Sequence, residues 1–140
     1  MVPCGWTASY ARMQANLEEL RNALLELHRA ILHAQRLRYE RDHGRVDSPG
    51  ELLQLVVRHP EFAWIRALSA LIAQLDEWSQ SEADGREAEI RATVRALQTL
   101  IQPDGTNEEF TTRYWPLLEA MPEALVAHVK LWRLIRADGA

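Results

Sequence analysis

The stretch from Leu17 to Tyr39, LEELRNALLELHRAILHAQRLRY, decides the fold class of this chain. Its leucine and isoleucine residues recur every three or four positions, which is the spacing of side chains along one face of an α-helix. A second apolar row repeats every seven residues and widens this face (Leu25, Leu32 and Tyr39). We therefore expect a long first helix, from about Met13 to Asp42, that packs against two neighbours and ends at Gly44.

A second helical element begins at the sequence SPGE, in which Ser48 is the expected N-cap and Glu51 its partner in a capping box. Pro60 interrupts this element, because proline has no amide hydrogen to donate within a helix. We expect the chain to change direction at Pro60 and to direct Phe62 and Trp64 into the core against the first helix.

The third and fourth elements have weaker boundaries. The third follows the loop Gln80–Gly85 and extends to about Gln102. Thr106 is the expected cap of the fourth, which Pro116 and Pro122 interrupt. Four elements joined by short loops predict an all-α fold, a four-helix up-and-down bundle with proline-kinked second and fourth elements. An irregular orthogonal bundle is the alternative.

Length and composition define the class of protein. The 140 residues are enough for one domain, which we assign to residues 13–136, between a mobile N-terminal segment, residues 1–12, and a frayed tail, residues 137–140. No run of about 18 uncharged apolar residues occurs, so we expect no membrane span. A net charge of −4 argues against a nucleic-acid partner. The single cysteine, Cys4, fits a reducing cytoplasm.

Motifs for catalysis and metal binding are weak. A di-iron bundle needs two Glu-x-x-His motifs on different helices, and this chain has one, Glu40 to His43, at a helix end. No phosphate-binding loop, dinucleotide fingerprint or serine on a strand-to-helix elbow occurs. The sequence therefore predicts no catalytic residue, no metal site and no cofactor, and it favours a protein that is not an enzyme.

A site for a small molecule or an anion is the alternative function. The segment Arg29–Arg45 contains five arginines and two acidic residues, and arginine binds phosphate and carboxylate groups in a bidentate manner. Arg38 falls on the predicted apolar seam, and Arg66 stands between apolar residues. Together with Tyr39 and His28, these arginines are the predicted ligand-binding residues. Structural ion pairs explain the same arginines without any ligand.

Interaction with a protein partner is the preferred function. The chain has five tryptophans, and tryptophan is enriched at the energetic centres of protein interfaces. Trp6 precedes the predicted bundle and Trp115 stands beside a proline break, so we predict both as partner-binding residues. The sequence thus predicts a non-enzymatic cytoplasmic helical interaction module, which forms a homodimer or binds another protein, with no nucleic acid or membrane as partner.

Three pieces of the chain resemble small bacterial helical-bundle proteins of uncharacterised activity. The pieces are RYER at Arg38–Arg41, SPGELLQL at Ser48–Leu55 and PEFAWIR at Pro60–Arg66. The resemblance implies a bacterial cytoplasmic helical protein. It carries no activity and no functional residue over to this chain.

Overall fold

A computed structural model describes the backbone of residues 4–80 and 87–139, and the side chains of residues 16–78 and 87–136. All the regular structure in these ranges is helical, which confirms the predicted all-α class. The elements are α1 (Cys4–His43), α2 (Pro49–Arg58), a 3₁₀ helix (Pro60–Ile65), α3 (Arg66–Gln80), α4 (Glu87–Ile101), α5 (Glu108–Ala120) and α6 (Pro122–Gly139).

The predicted count of four helices is not confirmed, because six α-helices lie within the described ranges. Helix α1 packs against α3 and α6, and α4 packs against the same two helices. The 3₁₀ helix contacts α1, α2, α3 and α5, and α5 also contacts α6. None of the described helices combines the length and the apolar composition that a membrane span needs.

Helix α1 buries the predicted seam. Its buried leucine and isoleucine residues follow the three-to-four spacing (Leu17, Leu20, Leu24, Leu27 and Ile31). The helix ends at His43, and Gly44 takes the predicted left-handed conformation with φ 94°. α1 begins at Cys4 rather than near Met13. The side chains of residues 1–12 lie outside the described residues, so the mobile segment stays a prediction, as does the tail at residues 137–140.

Arg38 does not lie on the buried seam, and this part of the prediction is wrong. Its side chain is exposed, whereas its neighbour Tyr39 is half-buried. Near its C-terminal end, α1 packs against the 3₁₀ helix, and Tyr39 faces Phe62 there with ring centroids 5.8 Å apart. At this end of α1, the side that carries Tyr39 packs against the 3₁₀ helix, and Arg38 is exposed to solvent.

The second predicted element is divided at Pro60, as the sequence predicts. Ser48 caps α2, its Oγ accepting a hydrogen bond from the Glu51 amide at 3.1 Å. The Glu51 carboxylate accepts from the Asp47 amide at 3.1 Å, one residue before the expected partner. Pro60 opens a 3₁₀ helix before α3 begins, and Phe62 is fully buried there.

Trp64 fixes the 3₁₀ helix to α1. Its side chain is 3% exposed, and its Nε1 donates a hydrogen bond to Gln35 Oε1 on α1 at 3.0 Å. The prediction that Phe62 and Trp64 point into the core against the first helix is therefore confirmed. The turn at Pro60 places this side chain in the interior, where its polar NH group has a partner.

The fourth predicted element differs from the prediction in its cap residue and in the effect of its two prolines. Asn107 caps α5, its Oδ1 accepting from the Phe110 amide at 3.1 Å, so the cap is not Thr106. Pro116 lies inside α5 and its side chain is exposed, and it has no amide hydrogen to donate to the preceding turn. The helix ends before Pro122, which instead opens α6, because proline suits the first turn of a helix.

Candidate functional site

His28, the first predicted ligand-binding residue, is satisfied within the fold. Its Nε2 lies 2.8 Å from Ser69 Oγ on α3, and that hydroxyl also donates to the Ile65 carbonyl at 3.3 Å. Burial lowers the pKa of the His28 imidazole below its ordinary value, because desolvation disfavours the charged form. A neutral, hydrogen-bonded histidine therefore joins α1 to α3.

The other predicted ligand-binding residues lie toward the end of α1. Arg38 and Arg66 are both exposed, and Arg66 Nη2 donates to the Val57 carbonyl at 2.6 Å. Ten residues of helix separate His28 from Arg38, which is about 15 Å along the axis. The structure thus separates His28 from Arg38, whereas Arg66 lies one helical turn before Ser69, the hydrogen-bond partner of His28.

Trp115, a predicted partner-binding residue, is half-buried. Its ring meets His128 edge-on with centroids 5.1 Å apart. Its Nε1 is closed off from solvent and has no hydrogen-bond partner among the described residues. The side chain of Trp6 lies outside the described residues, and the partner-binding role of both tryptophans stays a prediction.

A groove between α1 and α6 is an open concave surface that the sequence did not reveal. It has a volume of about 860 Å³. Its apolar floor includes Leu125, Val126 and Val129 of α6, which are 42%, 68% and 39% exposed. These three side chains face outward because α6 carries apolar residues on more than one side.

Opposite charges line the two sides of this α1/α6 groove. Helix α1 contributes Glu19 and Glu26, and α6 contributes Lys130 and Arg133. Lys130 Nζ donates to Glu26 Oε2 at 3.2 Å across the groove, and both side chains are more than half exposed. The groove thus has an acidic wall on α1 and, on α6, a basic wall together with the exposed apolar residues of the floor.

A second cluster lies where α1, α2 and the 3₁₀ helix meet. His43 is the last residue of α1, His59 lies between α2 and the 3₁₀ helix, and Glu61 is in its first turn. His43 Nε2 is 3.1 Å from Glu61 Oε2, and His59 Nδ1 is 3.9 Å from the same oxygen. One nitrogen or oxygen atom of each residue lies within 4.8 Å of the other two.

The loop after α1 holds this His43–His59–Glu61 cluster together. Val46 is 1% exposed, and its amide donates to Glu40 Oε2 at 2.8 Å. Arg36 Nη2 donates to the Val46 carbonyl at 3.0 Å. Glu40 therefore anchors the loop. It has this structural role although it lies in the Glu40-x-x-His43 motif, whose spacing is that of a metal-binding pair. The partners of His43 are 16 and 18 residues further along the chain, which no local motif indicates.

No family model, curated protein or solved structure matches this chain.

Proposed function

We propose that this protein is a helical interaction module that self-associates as a homodimer through the α1/α6 groove. The observation that carries the proposal is the combination of an exposed apolar floor with one acidic and one basic wall. The expected cytoplasmic location and the absence of nucleic-acid and membrane partners belong to the same proposal.

The apolar floor favours association. Val126, with 68% of its surface exposed, lies beside Leu125 and Val129 on one side of α6. Contiguous exposed apolar residues within a polar rim are typical of sites where another macromolecule binds. Burying apolar surface releases about 25 cal/mol per Å², so covering these side chains is favourable. A stable dimer buries about 800 Å² per subunit, so the adjoining faces of α1 and α6 would contribute as well.

The charges favour a second copy as the occupant. A two-fold axis that lies in the interface, parallel to the length of the groove, places Glu19 and Glu26 of one subunit opposite Lys130 and Arg133 of the other. A symmetric dimer requires a surface that is complementary to itself in this way. Exposed ion pairs add little affinity each, but such a pattern fixes the orientation of the partner.

The helix contacts fit the proposal that α1, α3, α4 and α6 form a four-helix up-and-down bundle. Each of the four packs against two of the others in a closed ring. Adjacent helices of such a bundle are antiparallel, and the Glu26–Lys130 ion pair links the middle of α1 to the middle of α6. In this arrangement the groove runs along the outer side of the ring.

The alternative, an anion site at Arg38, Tyr39, Arg66 and His28, has less support. His28 is bonded to Ser69, and Arg66 is bonded to the Val57 carbonyl. His28 also lies about 15 Å from Arg38 along α1, which separates two of the four side chains.

Light scattering coupled to size exclusion, over a range of micromolar concentrations, tests the proposed function. We expect a mass that rises toward twice the chain mass of 16.1 kDa as concentration increases. A constant monomer mass over the whole range would contradict the homodimer.

A further inference from the structure

The His43–His59–Glu61 cluster unites three groups that all attract a cation. A carboxylate has only acceptor oxygens, and a neutral imidazole presents one nitrogen lone pair. Glu61 Oε2 is closed off from solvent, and no described residue gives it a hydrogen bond of good geometry. The nitrogens of His43 and His59 lie within ion-pair distance of this oxygen. A neutral imidazole can donate its N–H to the carboxylate, and a metal ion bound by the same atoms would take the place of that proton.

The distances suit a metal ion of the zinc class. In a tetrahedral site with bonds of about 2.1 Å, two ligand atoms are about 3.4 Å apart. The observed separations from Glu61 Oε2, 3.1 Å to His43 and 3.9 Å to His59, lie on either side of this value. All three ligand atoms lie within 4.8 Å of one another, and side-chain rotation can supply the contraction that a tetrahedral site needs.

Aromatic contacts orient the two imidazole rings. Tyr39 stacks on His43 with centroids 4.5 Å apart and meets the edge of His59 at 5.1 Å. Phe62 meets His59 at 6.4 Å. Rings held by neighbours on one side lose less freedom when they bind an ion, so this packing favours binding.

We propose that His43, His59 and Glu61 bind a divalent transition-metal ion, with zinc as the expected species. Two imidazoles and one carboxylate form a donor set typical of zinc with three protein ligands and one water molecule. The side chains are 44%, 30% and 28% exposed, respectively, which leaves room for that water. The ion would join the end of α1 to the start of the 3₁₀ helix.

Binding has a local cost at His59. Its Nδ1 accepts a hydrogen bond from the Glu61 amide at 3.1 Å and thereby caps the 3₁₀ helix. A metal ion bound through Nδ1 replaces this hydrogen bond. The free energy of metal binding is therefore less favourable by the amount that the hydrogen bond contributes. Zinc also competes with protons for the imidazoles, and its affinity therefore falls at acidic pH.

Zinc titration of metal-free protein, with a competing chromophoric chelator, tests the site. We expect one zinc ion per chain, bound tightly enough for the protein to withdraw zinc from the chelator, because the fold already holds the three ligands close together. Mg²⁺ should not compete, since it prefers oxygen ligands. Co²⁺ should give the visible absorption of a four-coordinate site.

Variants separate this site from zinc binding elsewhere on the surface. His43→Ala is the primary variant, because His43 caps no helix, and it should weaken zinc binding by about tenfold or more. His33→Ala is the matched control, since His33 is an exposed histidine on the same helix, and it should bind as the parent does. Equal affinity in His43→Ala and the parent, or no binding by the parent, would overturn the proposal.

Discussion

Tyr114 Oη and His128 Nδ1 lie 2.7 Å apart in the interior of the protein and join α5 to α6. Tyr114 is fully buried and His128 is 8% exposed. Burial raises the pKa of the Tyr114 phenol far above its ordinary range and lowers the pKa of His128. Both groups are therefore neutral at pH 7, and a hydrogen bond between neutral groups links the two helices.

Removing the Tyr114 hydroxyl should destabilise the protein. Tyr114→Phe keeps the ring but leaves a buried imidazole nitrogen without its partner, which costs about 1–2 kcal/mol of the free energy of unfolding. Urea denaturation measures the difference. Tyr39→Phe is the control, because no described residue is hydrogen-bonded to the Tyr39 hydroxyl, and we expect its effect to stay below about 0.5 kcal/mol. Equal stability of Tyr114→Phe and the parent would show that the hydrogen bond contributes nothing.

Stability should decrease as the pH falls below about 6.5, the ordinary pKa of histidine. The folded-state pKa values of His28 and His128 are lowered by burial, so the unfolded chain binds protons more readily than the folded one. The contribution of these two histidines to stability is therefore fully present above the pKa of histidine in the unfolded chain. It is lost as the pH falls toward their lowered pKa values in the folded protein.

Urea denaturation between pH 8 and pH 5 tests this pH dependence. His28→Gln should reduce the loss of stability on acidification, because glutamine does not titrate. His33→Gln, at an exposed position of the same helix, should leave the pH dependence unchanged. The explanation fails if the parent is as stable at pH 5 as at pH 8, or if His33→Gln alone reduces the loss.

In the segment that connects α1 to α3, Trp64 should contribute more to the stability of the fold than Ser48. Ser48→Ala removes one exposed helix cap and should cost about 1 kcal/mol. Trp64→Ala leaves a cavity and an unpaired Gln35 amide oxygen, and it should cost about 3–5 kcal/mol. Urea denaturation of both variants compares them directly. A smaller loss in Trp64→Ala than in Ser48→Ala would mean that Trp64 does not anchor the core.

Val126 should contribute to self-association but not to folding. Val126→Asp places a charge on the groove floor and should weaken the homodimer by at least about tenfold, or 1.4 kcal/mol. Val57→Asp is the matched control, because Val57 of α2 is 57% exposed and lies outside the groove. Sedimentation velocity measures both. If Val126→Asp and Val57→Asp dimerise alike, the groove floor is not the interface.

The sequence was most informative where local chemistry determines structure. The leucine spacing of α1, the cap at Ser48, the end at Gly44 and the break at Pro60 all depend on residues near one another in the chain. The placement of Trp64 followed from that break. The cap at Asn107 was misassigned because asparagine and threonine are both good caps and stand next to each other.

The candidate sites could not be found from patterns among residues that are near one another in the chain. His43 and Glu61 meet only because a loop anchored by Val46 returns α2 toward the end of α1. The α1/α6 groove combines residues about 100 positions apart, and periodicity alone does not show which apolar face of α6 lacks a neighbour. Arg38 was misplaced for the same reason, since the packing side of α1 depends on where the 3₁₀ helix lies.

Charge reversal across the groove tests the proposed homodimer most directly. Glu19→Arg should place like charges opposite Arg133 of the second copy and weaken self-association, and Arg133→Glu should do the same opposite Glu19. Mixing the two variants restores opposite charges at both contacts of the two-fold interface. Sedimentation velocity should therefore show monomers for each variant alone at concentrations where the parent is dimeric, and dimers for the equimolar mixture. If the mixture is no more associated than either variant, the interface does not join the acidic wall to the basic wall, and the central proposal is wrong.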